Sequence, residues 1–397
     1  MKYYSLKKLF HMGENYKEQY ERRKNSATTY NSNLTIKSDK ENAKTLFLVN
    51  TKELMTLYEK ISDNSKEIIK LQKKLPKIAK DKFFNLLLIN ELQSTNEIES
   101  VRSSKKEIAE ALGNKENKEK YKKFISLAKM YQLIDENKEK LENTADIRKI
   151  YDNLVADEVD GDNILDGEIF RKSTVEVIDG HNTIHQGIYP EKEIINAVVN
   201  LLNFYNNAEC PDLYKYMIFH YYFEYIHPFY DGNGRVGRYI LGNMIANKFD
   251  KYSALTFSYT INRNKSKYYR SFIETNHPFN KGEITFFVKD MLEILKEGQE
   301  QIISYLEENN YKLEKIFNNL DEKISDKKDN EIFKILAISY LFSAKDNLIT
   351  HAELAQIVSL TPQTLTKRLE KYKEKLQSIS KKPKIYSLKD EYVNMLL

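Results

Sequence analysis

One cysteine in 397 residues leaves this chain without an intramolecular disulfide, and Cys210 alone cannot build a cysteine-based zinc site. No apolar run reaches the length needed to cross a bilayer. The opening stretch, MKYYSLKKLFHMGENYKEQY, lacks the apolar block of a secretory signal, so a cytoplasmic protein without membrane contact is expected. Nor is charge of one sign in large excess. The formal net charge of +5 is too small for this length to imply a coat of nucleic acid. What remains is the profile of a folded globular chain, 41% hydrophobic and 30% charged, long enough for two or three domains.

The small positive excess is unevenly placed. Residues 325–397 hold thirteen Lys or Arg against nine Asp or Glu, which suits either a solvated basic face or an acidic partner. The first forty residues are polar and mixed and show no clear period. From Thr51 to Leu112 the pattern is helical, and FFNLLLINELQSTNEIES joins an apolar block to a polar end that begins at Ser94. A charged connector, GNKENKEKYKK (113–123), precedes two further helical stretches at 124–134 and 145–155.

The period then changes. STVEVIDGHNTIHQGIYP reads as two short strands around Asp179-Gly180, a dipeptide suited to a tight hairpin turn. An amphipathic helix at 191–206 follows Pro190, and DLYKYMIFHYYFEYI (212–226), apolar on nearly every face, reads as a buried central helix. Beyond a polar joint at 321–331 come a helix (IFKILAISYLF), a capping box from Thr350 to Glu353, and a helix start at Thr361-Pro362. KKPKIYSL then suits a strand pair. Three helices and a wing form the pattern of a winged helix-turn-helix.

Between the central helix and the next lies HPFYDGNGRVGR (227–238). Gly232 and Gly234 remove the Cβ atoms that would keep a polyanion off the backbone. Successive N–H groups in such a turn make a concave anion nest, and the following helix aims its positive end at the same place. Arg235 and Arg238 lie three apart on that helix, Asp231 offers a hard oxygen to Mg²⁺, and His227 is placed as a general base. His220, two helical turns before His227, finds no third metal ligand and reads as a packed core histidine.

The stretch resembles the signature of Fic-domain proteins, H-P-F-x-[D/E]-G-N-G-R-x-x-R, with every specified position met, and the similarity extends over about residues 85–290. The resemblance implies a mainly all-α fold with a β-hairpin flap and transfer of AMP from ATP to a Ser, Thr or Tyr hydroxyl of a target protein, self-modification included. It implies that His227 takes the hydroxyl proton and that Asp231 holds Mg²⁺. Gly232, Asn233 and Gly234 would cradle the phosphates, with Arg235 and Arg238 at their outer end. Tyr268, Tyr269 and Asn276 are similar to the family's adenine and ribose contacts, and the hairpin at 174–189 to its target-clamping flap.

TNEIES is similar to the family's inhibitory pattern, [S/T]-x-x-x-E-[G/N]. Thr95 and Glu99 keep the spacing, while Ser100 departs from the last position. Glu99 would then pair with Arg238 in the place of the γ-phosphate. The expected organisation is an N-terminal helical region (1–112) with the inhibitory helix at about 85–100, a Fic domain (113–320) and a winged helix (325–397). Two alternatives stay open: AMP removal or another nucleotide donor, and a regulator that binds DNA through Lys367, Arg368, Lys381, Lys382 and Lys384. A homo-oligomer is compatible with either.

Overall fold

Segment Asp212–Ile226 lacks a polar stripe, and it forms the helix around which the chain is built; its residues from Leu213 to Phe223 are almost all buried. The computed structural model describes residues 3–37, 43–113, 122–134, 136, 138–155, 158–159, 161–179 and 182–397. Most of the 113–123 connector and Gly180 of the hairpin turn lie outside these. In chain order the elements are α1 (Leu6–His11), α2 (Tyr16–Lys24), β1 (Thr29–Lys37), β2 (Ala43–Val49), α3 (Lys52–Lys73), α4 (Lys77–Ile98), α5 (Lys105–Gly113), α6 (Lys122–Gln132) and α7 (Thr144–Leu154). There follow β3 (Glu176–Asp179), β4 (Asn182–Gln186), α8 (Glu191–Asn207), α9 (Asp212–Ile226), α10 (Asn233–Lys248), α11 (Lys251–Ala254), α12 (Phe257–Arg263), α13 (Lys265–Asn276) and α14 (Thr285–Lys323). The chain closes with α15 (Lys327–Phe342), α16 (His351–Ile357), α17 (Pro362–Glu370), β5 (Leu376–Lys381), β6 (Lys384–Leu388) and α18 (Asp390–Leu396).

The fold is mainly helical, and its described strands form three antiparallel hairpins, β1–β2, β3–β4 and β5–β6. The first of these fills the region that sequence periodicity left unassigned. Ser32, Leu34 and Ile36 alternate inward along β1, and Leu46 and Leu48 of β2 join the same core. The second hairpin stands where the flap is expected, with Glu176 opposite Gln186.

Helix α14 runs 39 residues, roughly 58 Å at 1.5 Å per residue. Its first half supplies Phe287, Val288 and Leu292 to the core around α9, and its end supplies Ile316 and Leu320 to a separate core shared with α15–α18. The polar joint at 321–331 is therefore mostly helix, broken only between Lys323 and Lys327, where Asp326 accepts from the N–H groups of Lys328 and Asp329. Thr350 and Glu353 form the expected capping box, and Thr361 caps α17 with Pro362 in its first turn. Arg368 does not face outward as a phosphate contact would: it donates to Asp326 at 2.9 Å and to buried Asp329 at 2.6 Å.

Helix α4 packs against α12 and α15 and ends beside α10. Buried Glu91 accepts from the N–H groups of Ser258 and Tyr259 at the start of α12. Burial pushes its carboxyl up to about 7 despite those bonds. One and two turns further along the same face stand Thr95 and Glu99.

Candidate active site

The corner between α9 and α10 holds the motif. His227 ends α9 in the left-handed conformation, φ 53°, with its N–H on the Phe223 carbonyl. Gly232 precedes α10 at φ 81°, and a Cβ there would come within 2.6 Å of Val155. Asn233, the first residue of α10, closes the turn: its Nδ2 donates to the Phe229 carbonyl at 2.8 Å and its Oδ1 accepts from the Phe229 N–H at 2.9 Å. The side chain of Asn233 is thus spent on the loop. Only its backbone N–H remains to serve a phosphate cradle.

The His227 tautomer follows from its partner. Nδ1 lies 3.3 Å from the Glu224 carbonyl, which can only accept, so Nδ1 carries the proton and Nε2 keeps its lone pair. Burial, with neighbouring His185 and Arg171 adding to it, pushes the imidazole down to about 4. At neutral pH this half-buried ring is a neutral base.

Opposite His227 the start of α10 faces a carboxylate. Arg238, buried, donates through Nε to Thr95 Oγ1 at 3.0 Å, and through one amino group to the Thr95 carbonyl at 3.1 Å and to Glu99 Oε1 at 2.8 Å. Burial, the largest influence, would lower the guanidinium; the Glu99 charge and hydrogen bond together with Tyr268 and Glu224 outweigh it and hold it raised. A Cβ on Gly234 would overlap Glu99 Oε1, so this carboxylate sits directly over the first turn of α10. That is the position a helix N-terminus offers to an anion.

Ser100 takes the left-handed position at φ 59° just past α4. Its N–H reaches the Glu97 carbonyl at 3.3 Å and the Val101 N–H reaches the Asn96 carbonyl at 2.9 Å, a complete Schellman pair. Serine therefore performs the turn that glycine or asparagine would. Tyr269 and Lys265 of α13 complete the helix end, donating to the carbonyls of Ile98 at 3.3 Å and Glu97 at 2.9 Å.

Arg235 has a partner that the sequence did not suggest. Its NH1 donates to Glu158 at 2.6 Å, and Asp231 Oδ2 lies 3.8 Å from its other amino group. Glu158 sits in the loop after α7, and nothing in its local pattern marks it. Both motif arginines are thus matched by carboxylates rather than open to solvent. Asp231 also accepts from the Gly232 N–H at 2.6 Å, and its side chain is 47% exposed. A lone, accessible carboxylate beside an anion nest suits Mg²⁺ carried in on phosphates, since that ion keeps waters and takes one or two protein oxygens. Among the described residues no group of three or more His, Cys, Asp or Glu could hold a metal without such help.

A cleft of about 170 Å³ opens between His227, Arg238 and α13. Tyr268, Tyr269 and Asn276 all line it. Tyr268 is buried and shares a hydrogen bond with His220 Nε2 at 2.8 Å. His220 is accordingly a core histidine, driven by burial down to about 3. Asn276 accepts from Tyr221 at 3.2 Å. Glu224, also unmarked by the sequence, lines the same cleft. Its Oε1 finds no hydrogen-bond partner among the described residues, and burial pushes the carboxyl up to about 8.

Residues 141–245 match the Fic/DOC family, a narrower range than the 85–290 of the sequence resemblance. A probable protein adenylyltransferase of Aquifex aeolicus (strain VF5) is 33% identical over 168 residues, 42% of this chain. The chain spans half the length of that curated relative. A Fic family protein from Desulfovibrio desulfuricans G20 shares the fold, with a TM-score of 0.55 at 18% identity over 86% of this chain and 97% of that one. Among the described residues no helix is long and apolar enough to cross a membrane.

Proposed function

We propose, from the match of residues 141–245 to the Fic/DOC family, that the chain is a protein adenylyltransferase held in check by its own Glu99. The single observation that carries the reading is the Glu99 carboxylate over the first turn of α10, bound to Arg238 at 2.8 Å and facing the same cleft as His227. A carboxylate and a phosphate present similar oxygens to a guanidinium fork, so a site that holds one is built to exchange it for the other.

With Glu99 displaced, the outer phosphates of ATP take its place against Arg238 and the α10 N–H groups. The adenosine lies along Tyr268, Tyr269 and Asn276. The target segment pairs with the flap hairpin and brings a hydroxyl to His227 Nε2. His227 takes the hydroxyl proton, the oxygen bonds to the α-phosphorus, and the bond from that phosphorus to the pyrophosphate oxygen breaks. Positioning and charge neutralisation supply most of the rate in such transfers. Asp231 would hold Mg²⁺, which supplies positive charge to the phosphates. Glu158 stays on Arg235 or yields it to a phosphate, and either outcome is compatible with the transfer.

The test is transfer of label from α-labelled ATP to protein, followed by mass spectrometry of the product. A gain of one AMP on a Ser, Thr or Tyr, on this chain or on another, is the expected result. Loss of AMP from a pre-modified target would assign the reverse reaction, and a different adduct mass another donor.

The C-terminal unit, in which helices α15–α17 precede the β5–β6 hairpin and α18 follows it, is read as a winged helix-turn-helix with duplex DNA as its partner. Because Arg368 is engaged with Asp326 and Asp329, the exposed Lys367, Lys381 and Lys382 are the phosphate contacts of this reading. Binding of the full chain to duplex DNA should weaken steeply with salt, whereas binding without a salt slope would argue for a protein partner.

A further inference from the structure

We infer that Arg171 is a positioning residue that locks both legs of the flap and the His227 corner into one unit. The inference rests on the reading of His227 as the base.

Arg171 is fully buried, yet none of its hydrogen bonds goes to a carboxylate. Its Nε donates to the His227 carbonyl at 2.9 Å, one amino group to the Ser173 carbonyl and the other to the Ile188 carbonyl at 2.9 Å. Ser173 begins the ascending leg of the flap and Ile188 ends the descending one. The Arg171 N–H adds a bond to the Pro228 carbonyl at 3.3 Å. A buried cation satisfied only by backbone oxygens is unusual, because burial of such a charge is costly without a counter-ion. Here burial pushes the guanidinium down to about 10.

Tyr230 and Asp166 oppose that loss from nearby, and the end of α9 adds to the compensation. The last carbonyls of a helix lack internal partners and carry its negative end. Three successive ones are met from the flap side: Tyr225 by His185 Nε2 at 2.7 Å, Ile226 by the Ile188 N–H at 3.1 Å, and His227 by Arg171. The flap is therefore the C-terminal cap of the helix that carries the base. Gly187 permits the approach, since a Cβ there would overlap the Arg171 guanidinium and lie 3.1 Å from His227 Cβ. Tyr230, inside the motif, fastens the ascending leg by accepting from the Ser173 N–H at 3.1 Å.

The geometry at His227 needs such a lock. A non-glycine residue in the left-handed region is strained, and its side chain offers only one local bond against that, from Nδ1 to the Glu224 carbonyl. Arg171 holds the carbonyl of that strained residue and the base of the target-binding hairpin with one rigid planar group. A lysine ammonium is a point donor and cannot span the three carbonyls. Movement of the target segment and of the base are thereby coupled.

The test compares Arg171→Met and Arg171→Lys in the full chain, each in a Glu99→Gly background. Three readouts are taken: steady-state kinetics of AMP transfer, amide exchange of flap residues 174–188, and the His227 ring resonance by NMR. Both variants should lose about 10²-fold in kcat, the scale of a misplaced reacting group, with KM for ATP unchanged. Flap amides should exchange faster and the His227 resonance should shift. If Arg171→Met does not fold, Arg171→Lys carries the test alone. Wild-type flap exchange and an unmoved His227 resonance would overturn the inference, as would full kcat in Arg171→Lys. Should no AMP transfer be found even for Glu99→Gly, the functional reading fails, and exchange and resonance still decide the role of Arg171.

Discussion

Glu99 Oε1 and Arg238 stand 2.8 Å apart over the first turn of α10, with Thr95 bonded to the same guanidinium one turn back along α4. Glu99→Gly removes the competitor and leaves the arginine. A hydrogen bond to a charged group contributes about 1.5–3 kcal/mol, so AMP transfer from ATP should rise roughly 10- to 100-fold. Thr95→Ala should give a smaller rise, because Glu99 remains. Initial rates with labelled ATP check both; an unchanged rate in Glu99→Gly would remove the inhibitory role.

His227→Ala in the Glu99→Gly background should cost at least about 10²-fold in kcat. The pH dependence separates a base from a structural residue. With the imidazole pushed down to about 4, its neutral form prevails at every pH above that. The rate should show no acid limb near 6.5 and fall only as pH drops towards 4. A limb at 6 to 7 that vanishes in His227→Ala would contradict the buried, neutral ring.

Ser100→Gly should stabilise the protein by about 0.5–1 kcal/mol: relief of a left-handed serine, about 1–2 kcal/mol, less the entropy glycine adds to the unfolded chain. Chemical denaturation midpoints measure the gain. Because the change firms the end of α4, basal AMP transfer should fall or hold, and a rise would show that the helix end does not govern Glu99.

Glu224→Gln should act on stability through pH. The wild-type carboxyl, pushed up to about 8 by burial, keeps its proton in the folded state where the unfolded chain has released it. Its contribution is therefore full below about 4.5, the unfolded value, and is lost as pH rises through about 8. Glutamine keeps the shape without titrating. The unfolding free energy from urea titrations should match wild type near pH 5 and exceed it at pH 9 by on the order of a few kcal/mol.

Much of the site could be read from sequence because its parts are contiguous. His227, Asp231, Gly232, Gly234, Arg235 and Arg238 all lie within twelve successive positions, and Thr95 and Glu99 are one helical turn apart. The cleft-lining tyrosines followed from their place after the motif. The β1–β2 hairpin was not read, although Ser32, Leu34 and Ile36 alternate, because short polar-interrupted strands give a weak period. Glu158, Glu224 and Arg171 carry no local signature at all. The Asn233 side chain serves the loop and Arg368 pairs with Asp326 and Asp329, two engagements that identity and spacing do not reveal.

The sequence by itself determined the chemistry available: a base, an anion nest, a hard carboxylate, two guanidinium forks, and an acid one helix turn from a threonine. These depend on residue type and on short spacings that helix and turn geometry convert directly into neighbours. Only the tertiary structure decided the pairings: Arg238 with Glu99, Arg235 with Glu158, and Arg171 with the carbonyls of His227, Ser173 and Ile188. The reason is physical. A buried charge must be met by whatever lies nearest once the helices pack, and that neighbour can come from 139 residues away, as Glu99 does for Arg238.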